Sequence, residues 1–258
     1  MSDDRHLSGV GMFEGIADVF TADLAFAAAV AIVSGIVHGY TGFGAALVMV
    51  PLLALLYGPV EAIAVTSIAG LIGSSPVYLG AARIAVWREV GPLMAAAIIA
   101  TPLGVVVLFS VDPEWIRRAI GLFVLMAALL LMSGWVYRGR RGAVASAVTG
   151  TLCGAVSGVA GVGGPPVVVY FIAAPHEPAV QRANIVISVG VVIPLVLGSM
   201  AIGGAVDGAT LVRGIVAAPF YMAGFHGGTR LFGMAPQSLF RKVALWLLIA
   251  TGLTAVVF

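Results

Sequence analysis

Charge is what this sequence most lacks. Only 9% of its 258 residues are charged, against 61% hydrophobic. A soluble domain carries about 25% charged residues, so a water-solvated surface is excluded. The few charges fall in short stretches between apolar segments, as in a polytopic helical membrane protein. Period-two alternation is missing, which argues against an outer-membrane barrel. The net charge of +2 is small and dispersed, and gives nucleic acid no basic patch. One cysteine, Cys153, excludes an intramolecular disulfide and supplies no metal-ligand pattern. No acid lies deep in an apolar segment, so a carboxylate proton relay is not expected. Hydrolase triad, HExxH helix and flavin fingerprint are all missing, and no Lys follows Gly161-Val162-Gly163-Gly164 to make a phosphate loop. An enzyme is therefore not expected, nor is a cofactor. Met1 to Asp23 is acidic with short apolar runs, so a cleavable signal peptide is not expected either, although Val10 to Phe20 could form an interfacial helix.

Glycine is plentiful, and it is organised. Gly39-Tyr40-Thr41-Gly42-Phe43-Gly44 and Gly158-Val159-Ala160-Gly161-Val162-Gly163-Gly164 each interrupt an apolar run. A shift of 119 residues places Gly35 on Gly154, Gly39 on Gly158, Gly42 on Gly161, Gly44 on Gly163 and Pro59 on Pro178. The chain is thus read as a duplicated unit: a tail over 1–23, one membrane repeat over 24–141 and a second over 142–258. Paired glycine-interrupted segments in corresponding halves point to a transporter's substrate site.

Ten apolar segments are predicted. They run Leu24–His38, Ala45–Tyr57, Ala62–Leu79, Val90–Phe109 and Ile116–Tyr137, then Gly142–Ser157, Pro165–Ala174, Ala179–Ile202, Thr210–Phe225 and Leu239–Val257. Leu24–His38 and Ala45–Tyr57 would make helices of roughly 22 and 20 Å. The hydrocarbon core is about 30 Å thick, so each repeat is read as a glycine-tipped helical hairpin followed by three spanning helices. Irregular backbone at that depth must be buried in protein or line a wet cavity. This topology puts nine of the thirteen Arg and Lys residues on one side and Arg5, Arg117, Arg118 and Arg213 on the other. The first side is then cytoplasmic and both termini lie outside. An odd number of crossings per repeat inverts the second copy. The expected class is an all-α polytopic membrane protein with two inverted-topology repeats. Its expected partners are the bilayer and a small anion, with homo-oligomerisation left open.

The tips carry the candidate site. Gly44 leads into a helix at Ala45, and Gly163 and Gly164 lead into one at Pro165-Pro166. The first N–H groups of a helix have no internal partner, and the macrodipole places about half a positive charge there. Glycine lets an anion approach such donors. The substrate-binding candidates are therefore Tyr40, Thr41, Gly42, Gly44, Ala45, Gly161, Gly163 and Gly164. Thr66 on the helix after the first hairpin, and Gln181 and Asn184 after the second, could add neutral hydrogen bonds. Interhelical bonding explains these polar groups equally well. His38 and His226 are candidate proton-coupling groups, against the simpler reading of hydrogen-bonded structural histidines. Gly35, Gly150 and Gly154 fit small-xxx-small helix packing.

The repeated G-x-x-G-x-G tip with its following proline, twice in one chain, resembles the TauE/SafE family of membrane transporters. The resemblance covers roughly Leu24 to Phe258 and rests on Gly42-Phe43-Gly44-Ala45-Ala46 with Pro51, and Gly161-Val162-Gly163-Gly164 with Pro165. The first copy has alanines where the family usually has further glycines. The resemblance implies export of sulfite or small organosulfonates across the cytoplasmic membrane. An anion channel or a non-transporting scaffold is the alternative, and failure of the flux to saturate would mark a channel.

Overall fold

The structure is a computed structural model and describes residues 22–234 and 237–257. The interfacial helix expected at Val10 to Phe20 lies outside the described residues. Among the described residues the fold is all-helical, with ten helices and no strand. The first half supplies α1 (Ala22–Thr41), α2 (Ala45–Tyr57), α3 (Pro59–Ile84), α4 (Trp87–Ser110) and α5 (Pro113–Ser133). The second supplies α6 (Ala143–Ala160), α7 (Gly164–Phe171), α8 (Pro178–Ile202), α9 (Gly208–Met234) and α10 (Gln237–Val257).

Seven of these helices are long and apolar enough to cross a membrane: α1, α3, α4, α5, α6, α8 and α9. Their outer faces carry large exposed apolar side chains, such as Leu79 at 76% exposure and Val144 at 79%, as a lipid-facing surface would. α2 and α7, with 13 and 8 residues, are too short to cross. α1 is longer than its apolar run suggests, at 20 residues against fifteen. The helix runs on through Gly39, whose missing Cβ lets it lie against the Phe225 carbonyl. Prolines begin α3, α5 and α8, where a missing N–H costs nothing. The Asp112 carboxylate also caps α5 by accepting from the Glu114 N–H at 2.8 Å.

The halves are interleaved. α1 packs most extensively on α9, and α4 on α6, so the first helix of each half lies on the fourth helix of the other. α3 meets α8, and α5 meets α10. Backbone approach at the two main seams is close. A Cβ on Gly35 or Gly39 would collide with the Tyr221 or Phe225 carbonyl, and one on Gly224 or Gly228 with the Ile32 or Ile36 carbonyl. Gly150, Gly154 and Gly158 lie in the same way on the backbone of α4 at Leu93, Ala97 and Thr101.

Partly buried arginines fasten the hairpins. Arg213 at the start of α9 pairs with Glu61 and lies over the Tyr57 ring, 4.6 Å from its centroid, at the end of α2. Arg141, between α5 and α6, pairs with Glu89 at 3.3 Å, lies 4.7 Å from the Tyr170 ring centroid and donates to the Tyr170 carbonyl on α7. Glu61 is in the first turn of α3, and Glu89 follows its end. The two clamps therefore sit at opposite ends of that 26-residue helix.

Candidate functional site

Both hairpins turn in the same way. The Gly42 N–H donates to the His38 carbonyl at 2.7 Å, and the Gly161 N–H donates to the Ser157 carbonyl at 2.8 Å. The two bonds correspond at the 119-residue offset. Gly42 and Gly161 sit at φ of 80° and 71°, where a Cβ is strained. Gly44, at φ 93°, then opens α2, while Gly163 opens α7 from an ordinary φ of −71°. Neither helix start has a side-chain cap. At α7 two of the first three residues are proline, so the N–H groups of Gly163 and Gly164 are the donors left over by helix geometry.

The two tips line one cavity of about 70 Å³. Phe43, Gly44 and Ala45 face it from the first hairpin, and Gly161, Gly163 and Gly164 from the second. A single water needs roughly 10–15 Å³ on the same measure, so there is room for several waters or one compact ion. Thr66, Ser67 and Gly70 on α3 form a polar wall, with His38 and Ser157 from the hairpins and Tyr221 from α9. The facing wall on α8 is apolar: Val189, Val192, Ile193 and Val196. Among the described residues no charged side chain lines the cavity.

One polar atom there has no partner. Thr66 is 7% exposed, and its hydroxyl makes no hydrogen bond, whereas the neighbouring Ser67 hydroxyl donates to the Ile63 carbonyl at 2.7 Å. A buried unsatisfied hydroxyl is costly, and such an atom at a cavity wall is poised for a ligand. His38 Nδ1 is hydrogen-bonded to the Tyr221 hydroxyl, and the Ser74 hydroxyl lies 3.4 Å from the same oxygen. The ring also meets Phe225 edge-on at 5.3 Å. The arrangement suits a small oxyanion held by neutral donors.

Residues 27–255 match the sulfite exporter TauE/SafE family. The chain belongs to that family. The TauE/SafE match spans both glycine tips and every described helix that lines the cavity, and it makes the chain a multi-pass membrane transporter. No curated protein and no solved structure matches the chain.

Of the residues nominated from sequence, this TauE/SafE chain brings Gly44, Ala45, Thr66, Gly161, Gly163, Gly164 and His38 to the cavity. Others lie elsewhere. Thr41 closes the turn, donating to the Val37 carbonyl at 2.7 Å and accepting from the Phe43 N–H at 3.2 Å. Tyr40 is buried, and a Cβ on Gly42 would face Arg182 Cγ at 3.1 Å. Gln181 donates to the Ala174 and His176 carbonyls at 2.8 and 3.1 Å, bracing the link between α7 and α8. Asn184 accepts from the Val86 N–H at 2.8 Å and so holds the turn between α3 and α4. His226 is exposed and bonded to the Met222 carbonyl at 2.8 Å. Ser67, legible as the polar neighbour of Thr66, lines the cavity too, whereas sequence reasoning missed Ser157 and Tyr221. Ser157 was within reach, since it is the 119-residue counterpart of His38. Tyr221 was not, because only the α1–α9 seam brings it to the tips.

Proposed function

We propose that this protein is a secondary transporter exporting a small sulfur oxyanion, sulfite or a C2/C3 organosulfonate, across the cytoplasmic membrane. The anion sits between the two glycine-tipped half-helix N-termini. What carries this reading is the single cavity that both tips line, with the unpartnered Thr66 hydroxyl on its wall. Helix-terminus N–H groups and hydroxyls stabilise an oxyanion without a counter-ion that would hold it too tightly for release. Inverted repeats over 24–141 and 142–258 would let one half rock against the other around the fixed site. The exchange of first and fourth helices between halves supports that symmetry. Of the two candidate histidines, we assign proton exchange with the bound anion to His38, since it lines the cavity and is linked to Tyr221.

Counterflow of labelled sulfite and C2 sulfonates in proteoliposomes tests the reading. Saturable, trans-stimulated exchange is expected; flux linear in concentration would mark a channel and overturn it. Cysteines replacing Gly139 and Gly208, with Cys153→Ser, should label from opposite faces. Labelling from one face would refute the inversion.

A further inference from the structure

A second space opens on the outer side of the second hairpin, away from the cavity that the two tips share. It is a groove of about 560 Å³ between the end of α5, the outer face of α6 and the half-helix α7. Val144, Val148 and Leu152 line it at i, i+4 and i+8, so they form one stripe on α6, and all three are more than half exposed. Val169 and Pro166 on α7 close its inner side. A second space of about 490 Å³ adjoins it across Trp135, lined by Ser133 and Arg138 among others. Arg140 lines the first.

The connection between α5 and α6 is firmly seated. The Tyr137 N–H donates to the Val169 carbonyl at 3.2 Å, its hydroxyl donates to the Arg140 carbonyl at 3.0 Å, and its ring lies 5.5 Å from that of Tyr170. The groove is therefore preformed. Of the three arginines in this connection, Arg141 is committed to Glu89 and the Tyr170 carbonyl. Arg138 and Arg140 are exposed and have no ion pair among the described residues.

We infer that this groove binds an anionic phospholipid. One acyl chain lies along the Val144–Val148–Leu152 stripe, about 12 Å long, and the phosphate is held by Arg138 and Arg140. The occupant follows from the two ends of the space. A bilayer-facing apolar groove excludes a water-soluble ligand, and two unpaired cations at its mouth select a negative headgroup over a zwitterionic one. Trp135, half-exposed between the spaces, takes the interfacial position that indoles prefer. The chain would rest on α7, the half-helix that Gly164 begins.

The test uses the full-length protein in nanodiscs of phosphatidylcholine containing a minor fraction of dibrominated phosphatidylglycerol or dibrominated phosphatidylcholine. Bromine quenches nearby indole fluorescence, and subtracting the signal of Trp135→Phe isolates Trp135. Brominated phosphatidylglycerol should quench Trp135 several-fold more effectively. The preference should fall about fivefold for each of Arg138→Gln and Arg140→Gln. Val148→Phe, which fills the groove from an exposed position, should lower quenching by both lipids. Equal quenching by the two lipids in the unmodified protein would overturn the inference. So would an undiminished preference in the double arginine variant. Relief of quenching by millimolar inorganic phosphate or glycerophosphoglycerol would show a plain anion site and also overturn it.

Discussion

Arg182 Nη2 on α8 donates to the Gly39 carbonyl on α1 at 2.7 Å, tying the second half of the chain to the first hairpin. The carbonyl lies in the last turn of α1, where a cation also complements the helix dipole. A hydrogen bond from a charged group contributes about 1.5–3 kcal/mol. Arg182→Ala should therefore lower thermal stability in detergent by that order, with partial recovery in Arg182→Lys. An unchanged melting temperature would show that the bond does not hold the hairpin.

Gly163 and Gly164 are adjacent yet should respond differently. A Cβ on Gly163 would strike the Cys153 carbonyl and the Ser157 hydroxyl, while one on Gly164 meets only Phe43, 3.6 Å away. Gly163→Ala should cost about 1–3 kcal/mol through overpacking. Gly164→Val should keep the fold and obstruct the cavity. Thermal unfolding together with sulfite binding separates the two, and equal loss of stability in both variants would refute the distinction.

Much of this was legible in the sequence. The bounds of α2, 45–57, follow from the glycines and the apolar run alone. The fourfold glycine coincidence located both tips. The cavity walls were harder to read because they are assembled by contacts between halves. Gln181, Asn184 and Ser188 share a face of α8, but that face serves the connections and the core, whereas valines and isoleucines of the same helix reach the cavity. Spacing shows that residues share a face. It does not show which neighbour the face meets.

Asp207 offers a pH-dependent handle outside the membrane helices. Its carboxylate accepts from the Thr210 N–H at 2.7 Å at the start of α9, and this bond lowers its pKa. A depressed folded-state pKa gives stability that is present above the unfolded value of about 3.9 and is lost as pH falls through the folded value. Asp207→Ala should lower the melting temperature at pH 7 and have a vanishing effect once the carboxylate is protonated in both the folded and the unfolded state. A gap independent of pH would exclude the charged cap.

The histidines should separate in transport. His38→Gln removes an imidazole from the cavity wall, and if that ring exchanges a proton with the anion the pH profile of sulfite exchange should flatten. His226→Gln, at an exposed position, should leave the profile unchanged. The reverse pattern would move proton exchange away from the cavity.

The most direct measurement is sulfite binding to Thr66→Val by calorimetry, alongside thermal unfolding. Thr66 has no hydrogen-bond partner without ligand, so its removal should leave stability unchanged or raise it. Loss of a hydrogen bond to a charged ligand should weaken binding by about 10- to 150-fold. Arg182→Gln, at a position that does not line the cavity, should bind within a few-fold of the unmodified protein. Normal affinity in Thr66→Val and Gly164→Val, with binding abolished in folded Arg182→Gln, would contradict an anion held by the two glycine tips and place it on the arginine instead.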